Sequence, residues 1–214
     1  MEGQQKANPV RVMAEIGVMA ALGFVIDELQ SAYSRGLFVN GGSIGFAMVV
    51  VIIMGYRRGF LPALATGLIM SILDTVTGPY ILPGAWYQAV AQVALDYVLA
   101  YPIVALAGLF KPLFDKAETR GAKAKWLIIG CLIGGLAKFA VHYTAGAIFW
   151  ANPENFAWDL TWMNPYLYVL VYNSAYMGPC IILSTLIALL MFWKVPSLYQ
   201  DPSAIYRGLR ENEQ

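Results

Sequence analysis

The chain has 214 residues, 59% of them hydrophobic and 13% charged, with a formal net charge of +1 and a mean hydropathy of +0.59. A soluble domain of this size carries far more polar surface, so the composition points to an integral membrane protein. Basic residues sit in short segments between apolar runs rather than along a stripe, which argues against nucleic acid as a partner.

Crossing a hydrocarbon core of roughly 30 Å takes about 20 apolar residues in helical form. Six apolar segments are predicted, at about 12–29, 44–56, 60–76, 86–110, 126–151 and 166–193. They leave no room for a separate soluble domain. Residues 1–214 therefore read as one all-α membrane domain of six transmembrane helices, with short polar tails at 1–9 and 195–214. The opening "MEGQQKANPVRV" lacks a signal-cleavage pattern, so the first apolar run is expected to be retained. The second segment is short, bounded by Gly41-Gly42 and Arg57-Arg58.

Orientation follows from the basic residues. With both termini cytoplasmic, Lys6, Arg11, Arg57, Arg58, Lys111, Lys116, Arg120, Lys123, Lys125, Lys194, Arg207 and Arg210 all lie inside. Only Arg35 falls in an outer loop, and Lys138 lies within a span. This is the positive-inside asymmetry, and an even number of helices fits it.

The three outer connections are "DELQSAYSRGLFVNGGS", "TGPYILPGAWY" and "NPENFAWDLTWMNP", rich in Trp, Tyr, Asn and Pro. They form either an aromatic belt at the membrane interface or the roof of a pocket. The fifth segment bears on that choice. Its Lys138, His142, Gly146 and Trp150 recur every four residues, which keeps them on one helical face with a drift of about 40° per step. Ionisable side chains inside a membrane face the protein interior or a water-filled cavity, and Gly146 opens room midway for a ligand or a neighbouring backbone. A lone histidine in a helix is ordinarily a packing residue; four such residues on one stripe read as a binding surface.

Lys138 needs a carboxylate, and Asp96 in "QVALDYVLA" of the fourth segment is the best supplier, with Tyr97 beside it. A Lys138–Asp96 pair that merely orients helices and an Asp96 that serves a ligand are both compatible with the sequence. The sixth segment places Tyr168, Tyr172 and Tyr176 at steps of four, with Asn173 beside the row. An Asn in an apolar helix must hydrogen-bond to a neighbouring helix or a bound molecule, so Asn173 ranks first there and Tyr168 second. Glu15 is placed to snorkel or pair with Arg11, and Asp74 lies near water at the outer end of the third segment. Cys131 and Cys180 read as packing residues, with no metal site implied. No phosphate loop, zinc-type histidine pair or serine nucleophile is present. That pattern implies no enzyme and no catalytic residue, and any ATP chemistry would belong to another chain.

In order and spacing, "RVMAEIGVMAALGFV", "NGGS", "YRRG", "GPY", "ALDYVLAYPIVALAGLF", "KFAVHYTAGAIFW" and "YVLVYNSAYMGP" resemble the thiamine-specific S-components of energy-coupling factor (ECF) transporters. The resemblance covers nearly the whole chain. It implies a six-helix protein of a prokaryotic cell membrane that binds thiamine without a cofactor. It also implies ligand contacts at Asp96, Lys138, His142, Gly146, Trp150, Tyr168 and Asn173, with Tyr80 and Tyr97 secondary. The family's first outer loop carries an aromatic residue four positions before an acid or amide. The amide position matches Asn40 here, but the aromatic position holds Gly36, with Phe38 or Tyr33 as substitutes.

The chemistry suits thiamine. Its thiazolium is a permanent cation, attracted to aromatic faces by about 0.5–2 kcal/mol when desolvated. Asp96 can compensate that charge, and Asn173 and His142 can recognise the aminopyrimidine edge; Lys138 opposes a cation unless Asp96 neutralises it. The resemblance further implies a transmembrane coupling protein and two ATPase subunits as partners. Ala14, Gly17 and Ala21 on one side of the first span form the expected docking face, since small residues allow close helix approach; packing within the chain is the rival use. Two other functions are weighed against this one. The first is capture of another heterocycle such as riboflavin or a hydroxymethylpyrimidine, motivated by Gly36. The second is solitary proton-coupled transport through Asp96, His142 and Lys138, disfavoured by the absence of an inverted repeat.

Overall fold

The structure is a computed structural model that describes residues 8–79 and 81–201. Among the described residues the regular structure is all helical, without strands. Helix α1 is Pro9–Ser34, α2 Met48–Arg58, α3 Phe60–Thr77, α4 Trp86–Gln92, α5 Lys111–Lys116, α6 Arg120–Ala145 and α7 Pro165–Lys194. Between α4 and α5 the chain continues as a π-helical stretch, Val93–Val98, and a 3-10 stretch, Pro102–Phe110. A second π-helical stretch, Gly146–Trp150, extends α6.

Local chemistry sets the ends. Asn8 accepts from Val10 N at 3.0 Å ahead of Pro9, and Asn164 accepts from Tyr166 N and Leu167 N ahead of Pro165. In both, an amide oxygen satisfies amides at the open first turn, and proline supplies a preset φ. Gly59, at φ 93°, turns α2 into α3 without a loop.

Five stretches have the length and apolarity to cross a membrane: Pro9–Ser34, Phe60–Thr77, Trp86–Lys116, Arg120–Trp150 and Pro165–Lys194. The remaining apolar segment is α2, whose 11 residues rise only about 16 Å. Met48 to Tyr56 are all buried, as expected for a helix apolar on every side. It is the central post of the bundle, and the others pack around it. Glycines permit the tightest approaches: a Cβ on Gly55 would lie 2.9 Å from Gly108 Cα, and one on Gly134 would lie 2.8 Å from Val104 O. Outward faces are apolar and exposed, with Val18, Leu22, Val25 and Leu29 on α1 and Ile182, Leu186 and Leu190 on α7. Such surfaces suit lipid or a partner helix rather than water.

Two expectations change. The first span does not end near residue 29 but runs as helix to Ser34. Asp27, Gln30 and Ser34, placed in the outer loop by their polarity, lie on one buried face of α1 and are bonded internally. Glu15 does not rest on Arg11 alone. Its carboxylate receives Arg58 Nε at 2.7 Å and Arg57 Nε at 3.2 Å, with Arg11 Nε at 3.5 Å. Arg57 also donates to Ser197 O at 2.8 Å, and Arg58 to Asp201 at 2.9 Å. That network ties α1, α2 and the segment after α7 together at the end rich in basic residues.

Candidate functional site

At the opposite end from the Glu15 network, α1, α3, α6, α7 and the outer connections surround a cavity of about 660 Å³. Small-molecule sites run from about 300 to 1,000 Å³. Asn40, Asp96, Tyr97, Lys138, His142, Gly146, Trp150, Tyr168 and Asn173 all line it. The expected residues therefore converge on one space. Tyr80 lies outside the described residues.

The stripe on α6 survives its full length because the helix changes pitch. Steps of four overshoot a full α-turn by about 40°. From Gly146 to Trp150 the backbone is π-helical, and its wider turn makes a step of four fall short instead. The two drifts oppose each other, so Trp150 stays over the cavity. Gly146 is needed for clearance: a Cβ there would sit 2.5 Å from Val169 Cγ1 and 3.1 Å from Asn173 Nδ2.

Asp96 also stands on a π-helical stretch. Its Oδ1 lies 3.6 Å from His142 Nδ1, not in an ion pair with Lys138. Lys138 Nζ rests 3.5 Å from the centroid of the Tyr101 ring, and the Tyr101 hydroxyl donates to Asp27. The expected Lys138–Asp96 pairing is thus replaced by a Lys138–Tyr101–Asp27 stack. Four acidic side chains, Asp27, Glu28, Asp74 and Asp96, line the cavity with two basic ones, Arg35 and Lys138.

Aromatic rings make the wall towards α7. Phe38 meets Tyr172 and Tyr176 edge-on at 5.7 and 5.5 Å between centroids. Phe38 is buried and lines the cavity, whereas Tyr33 is exposed and donates to Ile44 O at 2.5 Å. Of the two substitutes for Gly36, Phe38 is the one that lines the cavity. Asn173 donates to Val169 O at 2.9 Å and accepts from Tyr176 at 2.5 Å, which leaves its second amide hydrogen for a ligand.

Two expected contacts hold the roof as well as lining the chamber. The Tyr168 hydroxyl accepts from Ala157 N at 2.8 Å and Trp158 N at 3.2 Å, and its ring stacks on Phe156 at 3.6 Å. Asn40 donates to Asn155 O at 2.5 Å, joining the first outer connection to the third. The sequence reading missed Asp27 and Gln30. Gln30 donates to Asp27 at 2.6 Å and accepts from Ala47 N at 3.2 Å. Their signal was the polar series Asp27, Gln30, Ser34 at helical spacing. Of the docking residues, Ala14, Gly17 and Ala21 are exposed, while the adjacent Ala20 and Gly23 are buried.

Comparisons with known proteins show the family to which the chain belongs. Residues 13–200 match the family described as thiamine transporter protein (Thia_YuaJ). The thiamine transporter ThiT of Bacillus subtilis (strain 168) is 28% identical over 206 residues, covering 94% of this chain and 99% of the relative. The thiamine transporter ThiT of Lacticaseibacillus paracasei is 26% identical, covering 79% of this chain and 81% of the relative. A solved structure of ThiT from Listeria monocytogenes superposes with a TM-score of 0.74 at 25% identity, covering 89% of this chain and 98% of that one. The chain belongs to the thiamine transporter protein family and is a prokaryotic multi-pass membrane protein.

Proposed function

We propose that this chain is the substrate-capture subunit of an ECF-type importer, taking thiamine from outside for ATP-driven release within the cell. One observation carries the reading: a chamber lined by more acidic than basic side chains, Asp27, Glu28, Asp74 and Asp96 with Arg35 and Lys138, and walled by Phe38, Trp150, Tyr168, Tyr172 and Tyr176. A desolvated organic cation gains from both features. The thiazolium belongs between Asp96 and the aromatic wall. The aminopyrimidine edge belongs at His142 and the remaining amide hydrogen of Asn173. The chamber lies opposite the basic end of the bundle, which the positive-inside rule puts in the cytoplasm, so it opens outwards. Both termini are then cytoplasmic, and residues 1–214 act as one membrane domain.

Release needs partners: a transmembrane coupling protein and two ATPase subunits. Ala14, Gly17 and Ala21 form the docking face, supported by their exposure on α1 and by the open space around Gly17. Titrating thiamine into the purified protein tests the capture step. A saturable quench of tryptophan fluorescence with one site per chain, abolished in Trp150→Phe, is expected. Neither quench nor heat at saturating thiamine would overturn the reading.

A further inference from the structure

At the inner end of the chamber, Asp27, Tyr101 and Lys138 form a stack that thiamine capture alone does not require. They are 7%, 3% and 8% exposed. The Tyr101 hydroxyl and Gln30 Nε2 both donate to Asp27 Oδ1. The Lys138 ammonium lies on the ring face of Tyr101, 3.5 Å from its centroid. Among the described residues no hydrogen bond or direct ion pair holds that ammonium.

A buried ammonium without an acceptor keeps its place through the ring quadrupole and through negative charge behind the ring. Asp27 supplies that charge, and by accepting the phenolic hydrogen it enriches the ring face on which Lys138 rests. Lysine is a point charge on a flexible stem. Without Asp27 it has every reason to turn towards His142, one turn further along α6, and the Asp96 beside it. There it would both repel a cationic ligand and compete for the carboxylate that receives it.

We infer that Asp27 is a positioning residue for charge selectivity: it holds Lys138 back on the Tyr101 ring and so keeps Asp96 available to a cationic ligand. The inference rests on the thiamine reading and adds a residue outside the ligand contacts that reading names.

The test compares Kd for thiamine with Kd for its neutral thiophene isostere, in which the ring nitrogen cation is replaced by carbon. Asp27→Asn preserves volume and can still accept from Tyr101. It is expected to lower the preference for thiamine over the isostere by about 10- to 100-fold, the scale of one uncompensated charge in such a chamber. Asp27→Asn with Lys138→Met removes both charges and is expected to restore the preference to within about threefold of the unmodified protein. A merely structural role would weaken both ligands alike and leave the ratio unmoved. An unchanged ratio in Asp27→Asn, or no restoration in the double variant, overturns the inference while thiamine capture stands. If Asp27→Asn does not fold, the double variant decides alone: retained preference supports the inference and lost preference overturns it. Wild-type protein that binds neither compound takes down the thiamine reading and the inference together.

Discussion

His142 Nδ1 lies 3.6 Å from Asp96 Oδ1, and this pair joins the α6 stripe to the π-helical stretch that carries Asp96. The separation is too long for a good hydrogen bond, so both groups retain capacity for a ligand between or beside them. Asp96→Asn is expected to weaken thiamine binding by about 10- to 100-fold, the worth of one charge-assisted contact. Calorimetric titration checks this. A loss under about threefold would place the ligand's charge elsewhere in the chamber.

Tyr168 is expected to act on the lifetime of the complex. Tyr168→Phe keeps the ring stacked on Phe156 but removes the acceptor for Ala157 N and Trp158 N. Two loop amides lose their partner, a cost of about 1–2 kcal/mol. Dissociation should speed up by about 5- to 30-fold with association little changed. Stopped-flow fluorescence separates the two rates.

Gly146→Ala should damage both binding and stability, because the new methyl meets Val169 Cγ1 and Asn173 Nδ2. Overpacking of this kind costs about 1–3 kcal/mol. Adding Val169→Ala makes room and should recover much of the thiamine affinity. Failure of that rescue would mean that the glycine serves the backbone geometry of the π-helical stretch instead.

The cytoplasmic network should affect stability without affecting binding. Among the described residues, Glu15→Gln leaves the Arg58 side chain, 3% exposed, with the half-open Asp201 as its remaining ion-pair partner. A destabilisation of about 1–3 kcal/mol is expected, because this buried cation loses the closer of its two carboxylates. It should appear as a lower Tm in detergent with an unaltered Kd. A changed Kd would imply coupling between the two ends of the bundle.

Gly17→Leu and Ala21→Leu test partnership. Both positions are exposed, and nothing lies within 4 Å of a Cβ built at Gly17. The purified variants should therefore fold and bind thiamine normally, while thiamine uptake in cells holding the partner subunits falls severely. Unimpaired uptake would move the docking face away from this side of α1.

Much of the architecture was legible along the chain because lipid imposes a length and a polarity on every span. The α6 stripe was legible for a related reason. Helical geometry turns a step of four into a shared face, so Lys138, His142, Gly146 and Trp150 could be grouped without knowing what lay opposite. The same rule, applied to Asp27, Gln30 and Ser34, would have extended α1 and exposed a second polar face. Their polarity read instead as loop, since a sequence does not reveal that Tyr101, Ser43 and Ala47 wait to bond them.

The sequence by itself determined the membrane class, the six apolar segments and the residues facing inwards from α6 and α7. Those depend on local periodicity and on the cost of polar groups in lipid. Only the tertiary structure decided that Lys138 rests on Tyr101 rather than beside Asp96, that Phe38 rather than Tyr33 lines the cavity, and which side of α1 stays uncovered. Charge pairing and ring contact fall off within a few ångströms. Their partners are therefore fixed by how helices distant in sequence are laid against one another, and spacing along a single helix carries no record of that.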